Sequence, residues 1–253
     1  MAFQEHLQQL RLFYLGNHVD QFLQHAEKSK LTHRQFLERM LEMEITERSN
    51  RSTQNRLKAA RIGRTKPMTE FDWAWPKAID RAGIEDLMVG EFISHFQNCV
   101  IAGPQGVGKS MIAKNIGLCA VNHGFHVFFT SASDLVLDLG AQESTPALQR
   151  RLRRYTAPDL LIIDELGYLS FDHRAADLLF EIISKRYETA STIITTNLSF
   201  KDWGIPFQGA ASVTPLIDRL THNCEIIKID ADSYRNKESI SRKQRRKNGK
   251  PTK

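Results

Sequence analysis

The chain has 253 residues, of which 25% are charged and 41% hydrophobic, the composition of a globular protein with one medium domain and a smaller appendage. No apolar run is long enough to span a bilayer, and the amphipathic, acid-containing start MAFQEHLQQLRLFYLG makes a poor signal peptide, so a cytoplasmic location is expected. The net charge of +6 divides into +4 over residues 1–70, −5 over 71–240 and +7 over 241–253, so two basic ends able to touch a polyanion flank an acidic middle. Cys99, Cys119 and Cys224 stand far apart with no CxxC pair or Cys/His cluster, which argues against a zinc site and a disulfide framework.

Residues 1–64 read as a helical domain. Phe3, Leu7, Leu10 and Tyr14 keep helical spacing up to a stop at Gly16-Asn17, and Val19, Phe22, Leu23 and Ala26 mark a second helix. Thr32 and Gln35 form a capping box before Phe36, Leu37, Met40 and Leu41, and a third helix runs through Leu57 toward Ile62. Its later part carries Arg48, Arg51, Arg56, Lys58, Arg61, Arg64 and Lys66 against Glu47 alone, which favours a polyanion contact over a merely solvated face. Residues 65–82 read as a linker, in which Phe71, Trp73 and Trp75 pack against a neighbouring domain or, less favoured, flank an adenine.

Residues 83–240 alternate strands and helices. Strands are predicted at 98–103, 125–130, 160–164, 191–196 and 224–229, giving an α/β fold with a mostly parallel sheet between helices. Little chain then remains for a lid domain, and residues 241–253 are expected to be a basic disordered tail. Before the third strand, Thr145 caps a helix with Pro146 at its first position. Leu148, Leu152 and Tyr155 share its apolar stripe, Arg150, Arg153 and Arg154 face the other way, and Arg151 flanks the stripe.

GPQGVGKS matches G-x-x-x-x-G-K-[ST] between a strand and a helix. Gly103, Pro104, Gln105, Gly106, Val107 and Gly108, with Lys109, Ser110 and Met111 opening the helix, form a phosphate cradle of backbone N–H groups. Lys109 reaches the β/γ-phosphates and Ser110 holds Mg²⁺, which together imply ATP. Asp164, at the end of LLIIDE, shares the Mg²⁺, and Glu165 is placed to polarise water as general base. The acid pair favours hydrolysis over the phosphoryl transfer of a small P-loop kinase. Asn197, after Thr195 and Thr196, can orient the water or γ-phosphate, or simply make a turn. Arg219 can pair with Asp218 or reach a neighbouring subunit's γ-phosphate as an arginine finger.

The order of these pieces resembles the AAA+ ATPases, and most closely the IstB-type ATPases, helpers of transposases in bacterial insertion sequences, which are similar to DnaC-type helicase loaders. The resemblance is carried by NRLKAARI with FDW, CVIAGPQGVGKS, LLIIDELGYL, IITTNLSFKDW, LIDRLTHN and SYRNK, from about Asn55 to Lys237. It implies that Asp164 and Glu165 are a Walker B pair, Asn197 a sensor and Arg219 a finger acting across a subunit boundary, while Arg235 matches a recurrent arginine. QGAASVTPLIDRL departs from the pattern at Gly209 and Pro215, where an acid and an alanine are expected. In loader-type relatives the helical insert before the Walker B strand lines the DNA-facing side, where Arg150, Arg151, Arg153 and Arg154 fall. The implied protein is an ATP-dependent oligomer on double-stranded DNA that assists a transposase. The alternatives are a replicative helicase loader, a small P-loop kinase and a non-hydrolysing DNA scaffold.

Overall fold

A computed structural model describes residues 2–168, 172–234 and 237. Its packing divides into two units, Met1–Asn55 and Arg56–Lys253. The first holds helices α1 (Ala2–Gln9) and α2 (Phe13–Ser29) and most of α3 (His33–Ala60). The first helix stops well before the expected Gly16-Asn17. Arg11 takes a left-handed φ of 56° and the Leu12 N–H closes on the Leu7 carbonyl at 2.8 Å, while Gly16 lies inside α2. This early reversal buries Leu7, Leu15 and Val19. The capping box forms as expected, with Thr32 N–H to Gln35 Oε1 at 3.0 Å and Gln35 N–H to Thr32 Oγ1 at 3.3 Å. Buried Glu44 accepts from the Leu15 N–H at 3.0 Å, placing a carboxylate from α3 on an unsatisfied donor in the first turn of α2.

In the second unit, strands β1 (Ala78–Ile79), β2 (Asn98–Ala102), β3 (Val127–Ser131), β4 (Leu160–Leu166), β5 (Ser191–Thr196) and β6 (Cys224–Asp230) form one sheet, ordered β1-β6-β2-β5-β4-β3. The last five are parallel, as the alternating pattern predicts. The sixth, β1, comes from the linker and pairs antiparallel with β6, Ile79 opposite Ile229. Strands β2, β4 and β5 are covered on both faces, which explains why they read as continuous apolar runs. Helices α4 (Arg81–Val89), α5 (Glu91–Ser94) and α6 (Lys109–Asn122) accompany the core holding Ile84, Ile112 and Ile116. Helices α7 (Ala132–Gly140), α8 (Thr145–Thr156), α9 (His173–Arg186) and α10 (Val213–Thr221) accompany the core holding Leu135, Leu152 and Ile182.

The α8 cap falls one residue before the expected Thr145. Ser144 Oγ accepts from the Ala147 N–H at 3.4 Å, and Thr145 and Pro146 enter the first turn. Pro215 likewise lies in the first turn of α10, where its missing N–H leaves no helical bond unmade. No helix among the described residues is long and apolar enough to cross a membrane. Arg235 and the tail 241–253 lie outside the described residues.

Candidate nucleotide site at the strand ends

Parallel strands deliver their following loops to one edge of the sheet. There the loop after β2 turns into α6 through Gly106 and Gly108, whose φ values of 79° and 101° suit glycine alone. A Cβ on Gly108 would stand 2.7 Å from Phe71 Cε2. Lys109 is buried, and its ammonium donates to the carbonyls of Gly103 and Pro104 at 2.8 and 2.7 Å, which holds it inside the loop. Beside the loop lies a cavity of about 250 Å³, lined by Gln105 through Met111, by Glu165 and by aromatic rings.

Asp164 and Glu165 are adjacent, so in a regular strand their side chains would leave opposite faces. A bulge prevents this. The β4–β5 register shifts between Ile163 and Leu166, and Glu165 takes a left-handed φ of 63°. The extra residue turns Glu165 outward into the cavity, while Asp164 stays buried beneath it. Such a conformation in a non-glycine residue is strained and persists only where the surroundings enforce it. Thr195 does so: its hydroxyl donates to Asp164 Oδ1 at 2.5 Å and accepts from the Glu165 N–H at 2.9 Å. Ser110 Oγ donates to the same Asp164 oxygen at 2.8 Å.

The linker forms part of this site. Phe71 and Trp75 line the cavity together with Tyr234 from beyond β6, and Phe71, Trp73 and Trp75 pack against the core holding Ile84 and Ile112, as the favoured expectation has it. Lys237 pairs with Asp72 at 2.9 Å and lies over the rings of Trp75 and Tyr234 at 4.2 and 5.2 Å. Its hydrogen bond holds the Asp72 carboxyl below the usual carboxylate range. Trp75 Nε1 donates to the Asp232 carbonyl at 2.8 Å, and the Tyr234 N–H donates to the Gly106 carbonyl at 3.0 Å. The linker and the segment after β6 thus clasp each other against the phosphate loop. The alternation of Phe71, Trp73 and Trp75 was the available signal, but nothing in it named Tyr234.

Asn197 is exposed just beyond β5, near Gly167. Arg219 lies elsewhere. It hydrogen-bonds Ser184 and stacks 4.7 Å from the Phe180 ring, rather than pairing with Asp218. It shares a cleft with Asn98, the first residue of β2, at the opposite edge of the sheet from the phosphate loop. One five-residue strand, roughly 13 Å at 3.3 Å per residue, separates the two edges.

The expected DNA-contacting residues divide. Arg150 and Arg153 are exposed. Arg151 is held in a fork by Asp138 of α7, with Nε to Oδ2 at 2.7 Å, an acid that the local sequence of α8 does not show. Arg154 and Arg61 both lie over the Phe128 ring, at 4.9 and 5.9 Å, so two basic runs distant in sequence meet on β3. Lys58 and Arg51 are exposed, and the Nε of Arg56 donates to the Val121 carbonyl at 3.3 Å. Arg48 donates to the Arg11 carbonyl at 2.8 Å and pairs with Glu44 at 3.5 Å.

The family model for IstB-like ATP-binding proteins matches residues 5–242. The chain belongs to this family. Among IstB-like relatives, the ATP-binding protein of insertion sequence IS21 from Pseudomonas aeruginosa is 35% identical over 92% of this chain and 88% of its own length. That of IS5376 from Geobacillus stearothermophilus is 33% identical over 96% and 97%. The solved structure of DnaI matches with a TM-score of 0.55 at 16% identity, over 68% of this chain and 91% of that one. The replication initiator DnaA bound to AMPPCP and single-stranded DNA matches with a TM-score of 0.51 at 19% identity, over 73% and 58%. These likenesses are of fold, and the fold of this IstB-like chain is that of an AAA+ protein.

Proposed function

We propose that this IstB-like protein is an ATPase that assembles on duplex DNA in the cytoplasm and assists the transposase of an insertion sequence. The observation that carries the hydrolytic part is the bulge, which sets Glu165 in the cavity while Asp164 is held by Ser110 and Thr195. Gly103 through Met111 receive the triphosphate, with backbone N–H groups and Lys109 answering its charge. Phe71, Trp75 and Tyr234 offer aromatic faces to the base. Ser110 Oγ and Asp164 Oδ1, 2.8 Å apart, are the hard oxygen donors that would hold Mg²⁺. When bound, the cation supplies charge neutralisation at the β- and γ-phosphates. Glu165 accepts the proton of the attacking water, and Asn197 orients that water or the γ-phosphate.

Arg219 sits a strand length from its own phosphate loop, which suits a finger offered to a neighbouring copy and so an ATP-dependent oligomer. The meeting of Arg61 and Arg154 on Phe128, with Arg150 and Arg153 exposed nearby in sequence, supports a backbone-contacting DNA face. Lys58, Arg51 and Arg56 are further candidates for phosphate contact. Arg151 and Arg48 contribute through positions set by Asp138 and Glu44. The transposase as partner is supported by the relatives, which are named for insertion sequences. The helicase-loader alternative has only the likeness of fold.

The test is DNA affinity against salt for the Arg150→Ala, Arg153→Ala double variant. If both arginines contact phosphates, the log–log slope becomes shallower by roughly 2. An unchanged slope and affinity would refute this DNA face.

A further inference from the structure

The last turn of α9 carries three consecutive residues that each reach beyond the helix. Ser184 receives the hydrogen bond of Arg219 on α10. Lys185 donates to Gln149 on α8 at 2.8 Å and pairs with Glu181 at 2.9 Å, and Gln149 donates in turn to Glu181 at 3.0 Å. Arg186 points inward and is only 1% exposed.

The Arg186 guanidinium meets carbonyls. Nη1 donates to the Tyr155 carbonyl at 3.0 Å, to Thr156 at 3.4 Å and to Pro158 at 2.8 Å. Nη2 donates to the Asp159 carbonyl at 3.4 Å and the Ser191 carbonyl at 2.5 Å, and Nε to Thr192 Oγ1 at 3.1 Å. Burial pulls its pKa down to about 9, so it is still cationic at neutral pH. Burying a charge without a bonded counter-charge is costly in stability, and the planar fork is what lets one side chain satisfy this many acceptors.

These acceptors lie at three joints: the C-terminus of α8, the turn into β4, and the start of β5. Strand β4 runs from that turn to Asp164 and Glu165, and β5 runs from Ser191 to Thr195, which fixes both acids. The side chain therefore ties the helix bearing Arg150 and Arg153 to the starts of both strands that build the hydrolytic end. Its neighbour Ser184 ties the same turn to Arg219.

We propose that Arg186 is a positioning residue that couples DNA on α8 to the Asp164–Glu165 strand end and to the orientation of Arg219. The proposal rests on the reading of the protein as an ATPase that binds duplex DNA, and adds that DNA stimulates its hydrolysis. A displacement of α8 by DNA is passed through the guanidinium to the beginnings of β4 and β5, and through α9 to the residue offered to the next copy.

The experiment is steady-state ATP hydrolysis by the full chain with and without duplex DNA, for the wild type, Arg186→Lys, Thr192→Val and Thr192→Ser. Lysine keeps the charge but not the fork. Valine keeps the shape of Thr192 but removes the acceptor, and serine restores it. Arg186→Lys and Thr192→Val are expected to lower DNA-stimulated kcat roughly 2- to 30-fold, the range of coupling changes for residues between two sites. KM for ATP and affinity for DNA stay near wild type, and Thr192→Ser keeps its stimulation. Wild-type stimulation that survives undiminished in Arg186→Lys and Thr192→Val, even with lowered melting temperatures, overturns the coupling role alone. A wild type that hydrolyses ATP without stimulation by DNA overturns the coupling by removing its premise and leaves the ATPase reading standing, whereas a wild type with no hydrolysis in either condition overturns both. Should Arg186→Lys not fold, the valine and serine variants at Thr192 decide.

Discussion

The two ends of β4 and β5 are built on opposite charges. At their C-terminal ends a buried anion, Asp164, gathers hydroxyl donors from Ser110 and Thr195. At their N-terminal ends a buried cation, Arg186, gathers backbone carbonyls and the hydroxyl of Thr192. Strand β5 supplies a threonine to each. The anionic end opens on a cavity and carries a strained residue, as a reacting site does; the cationic end is closed and joins elements. On the reading proposed above, one pair of strands has a chemical end and a mechanical end.

Substitutions at the two ends should separate these roles. The largest effect is expected at the open end. Glu165→Gln keeps the shape of the bulge and removes the base, so kcat for ATP falls by about 10²- to 10⁴-fold with nucleotide affinity retained, as a nucleotide-binding titration beside a phosphate-release assay will show. Thr195→Val is next. It leaves the Glu165 N–H without its acceptor and Asp164 short of a donor, destabilising the fold by about 1–3 kcal/mol and lowering kcat. Comparing it with Thr192→Val sharpens the contrast, since Thr195→Val should lower basal turnover and Thr192→Val mainly the response to DNA. Equal losses in both rates for both variants would erase the distinction.

The smallest effect concerns Asp138, which steadies α8 outside either strand end. Burial alone would raise its carboxyl, but hydrogen bonds from Arg151 and Tyr155 outweigh this and hold it below the usual value. The phenol of Tyr155 is pushed up by burial and by the same bond. A depressed carboxyl adds stability that is present above the unfolded value of about 3.9 and is lost as pH falls through the folded one. Asp138→Asn should therefore cost about 1–2 kcal/mol in urea unfolding at neutral pH, and the gap to wild type should narrow in acid.

The phosphate loop, the acid pair and the five parallel strands were legible because each is a local pattern: glycines at fixed spacing, an apolar run ending in acids, alternation of helix and strand. The bulge was not, because the sequence LLIIDELG carries the same residues in either register. Thr195 was named only as part of a strand tip, and its bonds to Asp164 and Glu165 required the pairing of β4 with β5. Asp138 is 13 residues from Arg151, beyond the reach of helical spacing rules. Arg186 did leave a trace. It follows Leu179, Ile182 and Ile183 at helical spacing, so a charge stands on the apolar stripe of α9, where a core residue is expected. The resemblance to the IstB type, drawn from motifs in the second unit, holds for nearly the whole chain.

The sheet has two unlike borders. One is the two-residue β1; the other is the longer β3, whose successive Phe128 and Phe129 face opposite sides. Arg154 and Arg61 lie over the first ring, and Lys114 lies 4.8 Å from the centroid of the second. Cations beside a border strand discourage another chain from adding to it. The same arginines that are candidates for holding DNA are therefore also placed to discourage pairing at this border. Neutralising Arg61 and Arg154 should lower solubility before it reveals anything about nucleic acid, and glutamine is a safer replacement there than an apolar residue.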